Sequence, residues 1–244
     1  MEAIRTENLN KQYGPISAVK DLCLTVSEGE CFALLGVNGA GKTTTIKMLT
    51  GLTAPTSGDA FLMGHSITKD TYKAKQILNL SPQETAIAPQ LTVKENLEMM
   101  ASIYGMGKKE ATQYALRMMG IFRLVERANS KAQTLSGGLK RRLSIAMALI
   151  SHPKVLFLDE PTLGLDILSR RELWDVLMGL KGQVTIILTT HYLEEAVALS
   201  DRIGIMANGK LTAFGTADEL IAMANASTFE DAFVALATEQ EVTV

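Results

Sequence analysis

Short apolar runs ending in glycine, acid or hydroxyl residues alternate with longer helix-like stretches along most of this chain. Cys31 to Leu35 leads into Gly36, Val155 to Leu158 into Asp159, and Val184 to Leu188 into Thr189. Such short, nearly continuous runs predict strands buried on both faces. Leu22, Leu24 and Val26 instead alternate with Cys23, Thr25 and Ser27, predicting a strand with one inward face. Glu28-Gly29-Glu30 should make the turn after it, so that residues 1 to about 35 form strands and turns. A further strand pair is expected over residues 52 to 64, turning at Pro55 and at Ser57-Gly58. Helices are predicted from about Gly41 to Gly51, from Ser169 to Leu180 and from Tyr192 to Leu199. Ile203 to Met206 and Leu211 to Phe214, joined through Asn208-Gly209, read as a hairpin.

Between about Thr92 and Leu149 the character turns helical, and Met99, Met100, Met106, Met118 and Met119 fall there. Methionines of this kind read first as adaptable core filling and second as a partner surface. Strands alternating with helices around such an insertion predict an α/β fold with a mostly parallel core sheet covered on both faces.

Composition narrows the partners. The chain has 244 residues, 47% hydrophobic and 20% charged, enough for one large domain or a domain with a subdomain. A net charge of -2 argues against a nucleic-acid coat, which would carry a basic face. No apolar run reaches the roughly 18 residues needed to span a bilayer, and MEAIRTENLN does not read as a signal peptide. A cytosolic product is therefore expected. In that reducing setting Cys23 and Cys31 are expected as buried thiols, and the pair makes no metal site. His65 and His152 have no chemical context and are expected on the surface.

Candidate chemistry begins with Gly36-Val37-Asn38-Gly39-Ala40-Gly41-Lys42-Thr43, a complete P-loop pattern between a predicted strand and a predicted helix. Backbone N–H groups at Gly36, Asn38, Gly39 and Gly41, followed by Thr44, are the expected phosphate cradle. Lys42 would neutralise the β- and γ-phosphates, and the Thr43 hydroxyl would ligate magnesium. The pair Asp159-Glu160 ends a buried strand, where a carboxylate is costly unless it meets a cation or strong donors. Asp159 is read as a magnesium-shell residue and Glu160 as the base that polarises water; a solvated acidic turn is the plainer alternative. His191 closes Thr189-Thr190-His191 at a strand's carboxyl end, the ligand side of an open α/β sheet. Its expected role is donation to a γ-phosphate.

Leu135 to Arg142, LSGGLKRR, complicates this picture. Ser136, Gly137 and Gly138 open a second helix with small residues and free backbone donors, and basic residues follow. Helix N-termini attract anions, so the chain offers two anion cradles but one cradle lysine. Asp166, after Pro161-Thr162-Leu163-Gly164-Leu165, reads as a helix N-cap, as a link between two active sites, or as both.

Taken in order, the aromatic Tyr13, the P-loop, Gln83, LSGG, the strand-acid pair, Leu-Gly-Leu-Asp and His191 resemble the ATP-binding subunit of an ABC transporter. The resemblance runs from about residue 2 to 225. It implies a P-loop ABC ATPase with an N-terminal antiparallel β subdomain and a helical subdomain inserted at about 88–152. Residues 226–244 would be a C-terminal tail with a short helix. It also implies that Tyr13 stacks on adenine and that Gln83 contacts magnesium and the attacking water. Two such domains dock head to tail in this family, so Ser136 to Gly138 would complete the site of a second copy or sister subunit, with Asp166 at that boundary. ATP and magnesium are the implied cofactors. The implied function is a motor that couples ATP-driven closure to export through a separate membrane permease, at the inner face of the cell membrane. That permease would insert a short helix around Gln83 to Tyr104. The alternative is a soluble ABC ATPase acting on nucleic acid, ribosomes or cofactor assembly. Pro161 to Asp166, the run LSGGLKRRLSIAMAL and the tail Thr228 to Phe233 are similar to bacterial drug-, antibiotic- or lipid-exporting ATPases of the daunorubicin-resistance type. Leu139 stands where many relatives have glutamine, and Met147 where arginine is common.

Overall fold

The computed structural model describes residues 1–238. Its order along the chain is β1 (Glu2–Tyr13), β2 (Ile16–Ser27), β3 (Cys31–Leu35), α1 (Lys42–Leu49), β4 (Ser57–Leu62), β5 (His65–Ser66), α2 (Thr71–Gln76) and β6 (Leu78–Ser81). Then come α3 (Val93–Ile103), α4 (Lys108–Ile121), α5 (Gly137–Leu149), β7 (Val155–Asp159), α6 (Ile167–Met178), β8 (Thr185–Thr190) and α7 (Leu193–Leu199). The described chain closes with β9 (Arg202–Ala207), β10 (Lys210–Gly215), α8 (Ala217–Met223) and α9 (Phe229–Thr238).

Two sheets form. One is antiparallel, in the order β2-β1-β4-β5. The other, in the order β10-β9-β3-β8-β7-β6, is parallel except for the β9–β10 hairpin. Every residue of β3, β7 and β8 is buried, as their apolar runs predict. Alternate side chains on each strand separate into two cores. Phe32, Leu34, Val155 and Phe157 face α1 and the antiparallel sheet. Ala33, Leu35, Leu156 and Leu158 face a second core, built by α3 to α7 with α8 and α9. The period of two in a strand thus puts a core on each side of the sheet.

That sheet also sets where chemistry can occur. Because β3, β8, β7 and β6 are parallel and in register, Leu35 pairs with Thr190, Thr189 with Asp159, and Leu158 with Ser81. Their carboxyl ends lie level along one edge. The residues that follow them, Gly36, His191, Glu160 and Pro82-Gln83, therefore emerge together.

Several expectations need correcting. Cys31 is buried, but Cys23 is exposed, because the alternation that buries Leu22 and Leu24 turns Cys23 to the opposite face. Ser57 and Gly58 do not make a turn. They open β4, where a register shift in the pairing with β1 absorbs the irregular geometry. His65 is half-buried rather than on the surface, whereas His152 is exposed. The helix expected from Ser169 begins at Ile167, capped by Asp166. The predicted tail lies partly outside the described residues, at 239–244.

Candidate functional site

The turn from β3 into α1 builds the floor of the site. Gly41 is the N-cap of α1 and has φ +105. A side chain there would be strained, and its Cβ would stand 2.5 Å from the Ala18 carbonyl oxygen. The Lys42 ammonium donates to Gly36 O at 2.7 Å and Val37 O at 3.2 Å, and lies 3.5 Å from Glu160 Oε1. Both side chains of that ion pair are buried. Asn38, Gly39, Gly41, Lys42, Thr43 and Thr44 line one wall of a cavity of about 300 Å³. Gln83, Glu160, Leu163 and His191 close it from the other strand ends.

Asp159 is held from two sides. Thr43 Oγ1 donates to its Oδ1 at 3.2 Å, and Thr189 Oγ1 donates to the same oxygen at 2.6 Å. Glu160, one residue on, adopts φ +48, a conformation that is costly for a residue with a Cβ. Its backbone N–H bonds Thr189 O and Thr189 Oγ1, both at 3.1 Å. This turn delivers the Glu160 carboxylate to the cavity, where Oε2 lies 2.8 Å from His191 Nδ1. The His191 ring in turn rests on Tyr192, with centroids 4.2 Å apart, and the Arg170 guanidinium covers Tyr192 at 4.5 Å.

Other singled-out residues lie apart from this cavity. Tyr13 is 46% exposed, with Lys11 Nζ 4.9 Å from its ring centroid, and does not line the cavity. Ser136 caps α5 by accepting from Leu139 N at 3.4 Å. Ser136 and Gly137 are exposed, but Gly138 is buried against α6, where an added Cβ would stand 2.6 Å from Ser169 Oγ. Asp166 caps α6, accepting Ser169 N at 3.0 Å and Ser169 Oγ at 2.7 Å. These hydrogen bonds from Ser169 hold its carboxyl below the ordinary aspartate value. Leu139 packs against the core beside α5, and Met147 is buried within that core.

Two of the basic residues after LSGG, Arg141 and Arg142, turn inward to partners within the chain. Arg142 Nη2 pairs with Glu172 at 2.8 Å, and its Nη1 donates to Phe122 O at 3.4 Å. Arg141 is only 4% exposed and donates to backbone carbonyls of Pro82, Gln83, Asp159 and Pro161. Sequence reasoning missed this contact with the site. The available signal was the basic run Lys140 to Arg142 leading straight into the apolar stretch LSIAMALI, where a charge drawn inward must find polar partners.

Chemically, the cavity joins a phosphate-binding turn to a carboxylate held between a cation and an imidazole. The Thr43 hydroxyl and Asp159 carboxylate add hard oxygen donors, which suit a small divalent cation. Among the described residues no cluster of three or more His, Cys, Asp or Glu could hold a metal alone.

Comparison with known proteins places this geometry. The family model described as "ABC transporter" matches residues 19–163. The linearmycin resistance ATP-binding protein LnrL of Bacillus subtilis is 43% identical over 218 residues, covering 89% of this chain and 70% of LnrL. The human phospholipid-transporting ATPase ABCA3 is 46% identical over 82% of this chain, which spans only 12% of that relative. A solved ATP-binding subunit of an ABC transporter superposes with a TM-score of 0.84 at 29% identity, covering 96% of this chain and 99% of the other. The dimeric cassette MJ0796, bound to ADP and Pi, superposes with a TM-score of 0.78 at 26% identity, covering 87% of this chain and 98% of the other.

Proposed function

This chain belongs to the ABC transporter family, and we propose that it works as the motor subunit of an exporter. It is an ATP-hydrolysing cassette; the reading beyond that concerns residue roles, partners and cargo. The division adopted is an ATPase domain over 1–225, a helical subdomain inserted at about 88–152, and a tail at 226–244.

In this reading the N–H groups at Asn38, Gly39 and Gly41, with Thr44, cradle the phosphates, and Lys42 neutralises them; Gly36 opens the turn, its own N–H donated to Thr190 O at 3.4 Å. Tyr13 stacks on adenine. Thr43, Asp159 and Gln83 would hold magnesium, which when bound neutralises charge building on the phosphate oxygens. Glu160 takes a proton from water as the water oxygen attacks the γ-phosphorus and the bond to ADP breaks. His191 orients Glu160 through Nδ1, leaving Nε2 for the γ-phosphate. Ser136, Gly137 and Gly138 of a second copy or sister subunit complete the site, with Asp166 at the boundary. The observation that carries the reading is Glu160 held between Lys42 at 3.5 Å and His191 at 2.8 Å, inside the cavity that the P-loop lines.

The reading assigns transport to a separate permease; no helix of the described residues is long and apolar enough to cross a membrane. This chain would then sit at the inner face of the cell membrane, with the permease seated around Gln83 to Tyr104. Export is favoured by LnrL, named for resistance to linearmycin, since removing a harmful compound accounts for resistance.

The decisive experiment is Glu160→Gln. The variant should bind ATP with magnesium and dimerise, while turnover falls by about 10²- to 10⁴-fold, the usual loss on removing a positioned base. A variant that stays monomeric in saturating ATP and magnesium, or that turns over at the normal rate, would falsify the assignment.

A further inference from the structure

We propose that Arg141 is a positioning residue, through which the helix opened by Ser136 sets the geometry of the Gln83 loop and the Asp159 strand end. This rests on the function proposed above and extends it to a residue that touches neither nucleotide nor metal.

Its side chain lies under the site rather than in it. Nε donates to Pro161 O at 2.8 Å, Nη2 to Asp159 O at 2.7 Å, and Nη1 to Gln83 O at 3.2 Å and to Pro82 O. Those acceptors come from three places in the chain: the loop after β6, the end of β7, and the turn towards Asp166. A guanidinium is planar and rigid, so its donors fix these carbonyls relative to one another. Each lies beside a group with an assigned task. Gln83 and Asp159 supply the magnesium shell, Glu160 lies between Asp159 and Pro161, and Leu163 lines the cavity.

Energetics favour a geometric role over a merely adhesive one. Arg141 has no carboxylate partner among the described ion pairs, and all four of its acceptors are neutral carbonyls. Burial pushes its pKa down to about 10, which still leaves it charged at neutral pH. An apolar side chain would fill the space without the desolvation cost. It would not hold three segments in one plane.

Arg142 supplies an internal comparison. It is also buried on the same helix, but its bonds run to Phe122 O and Glu172, away from the cavity. Losing it removes a buried polar contact without touching the Gln83 loop or Asp159.

The test compares Arg141→Met, Arg141→Lys and Arg142→Met in the full chain. Melting temperature, kcat, the magnesium requirement for turnover, and ATP affinity in magnesium against EDTA are measured for each. Arg141→Met should lose about 10- to 100-fold in kcat, the range typical of groups that orient metal ligands, and need more magnesium for half-maximal turnover. Its ATP affinity in EDTA should stay within about twofold of wild type, because the P-loop is untouched, while the gain on adding magnesium shrinks. Arg141→Lys, with one nitrogen in place of a fork, should recover only part of the loss. Arg142→Met should melt lower yet keep the wild-type magnesium requirement. The proposal is overturned if Arg141→Met keeps wild-type magnesium dependence in both turnover and binding, or if both methionine variants shift that dependence alike. A wild-type chain that binds ATP but never hydrolyses it would sink the functional reading instead. The magnesium-dependent gain in ATP affinity would still report on Arg141.

Discussion

Glu195 on α7 has no solvent exposure, and Trp174 Nε1 donates to its Oε1 at 3.3 Å. Its Oε2 finds no partner among the described residues. Burial raises its pKa above the ordinary 4.5. A raised acid contributes stability that is fully present below that ordinary value and is lost as pH rises through the folded value. Glu195→Gln keeps an acceptor for Trp174 and never ionises. Thermal melts across pH should therefore show the glutamine variant gaining on wild type as pH rises, with the two converging in acid. A difference that does not change with pH would contradict the assignment. At this scale the sequence speaks unevenly. Lys42, Asp159 and Glu160 were legible because a fixed spacing or a strand end announces them. Arg141 and Glu195 were not, since their principal partners are backbone carbonyls or distant side chains that leave no pattern in a sequence.

Elements show the same division. The strands β3, β7 and β8 were readable because continuous burial demands apolar runs. Strand β6, Leu78–Ser81, was not, since four residues at a sheet edge with alternating polarity carry little signal. Helix α6 was read as starting late because Ile167 and Leu168 at its start are each 75% exposed and do not follow the buried stripe. Helix α8 was overlooked although its signature was present. Thr216 accepts Glu219 N at 3.2 Å, and Glu219 Oε2 accepts Thr216 N at 2.8 Å, a complete capping box. Replacing Thr216 by alanine should destabilise the chain by about 1 kcal/mol, lowering the melting temperature by about 2–4 °C. Calorimetry is the check, and an unchanged melting temperature would mean that α8 unfolds apart from the domain.

For the whole molecule, the parallel sheet gathers the P-loop, the acids, Gln83 and His191 on one edge, while Ser136 and Gly137 are exposed outside that cavity. The order of motifs made the first half legible; in the proposed reading a second chain supplies the other half. Leu163, Ile167 and Leu168 are exposed apolar residues flanking Asp166, a surface that suits such a neighbour. Complementation follows if the active form is a homodimer. Lys42→Ala and Ser136→Glu should each abolish turnover alone. Mixed in equal amounts, they should recover up to roughly a quarter of the intact sites by statistical pairing. A mixture as inactive as its parents would exclude two copies of this chain as the working unit. The Lys42–Glu160 contact ties the phosphate cradle to the carboxylate beyond β7 through one lysine. In the proposed reading, a phosphate that recruits the ammonium would loosen that tie, so nucleotide entry and the position of Glu160 would be coupled.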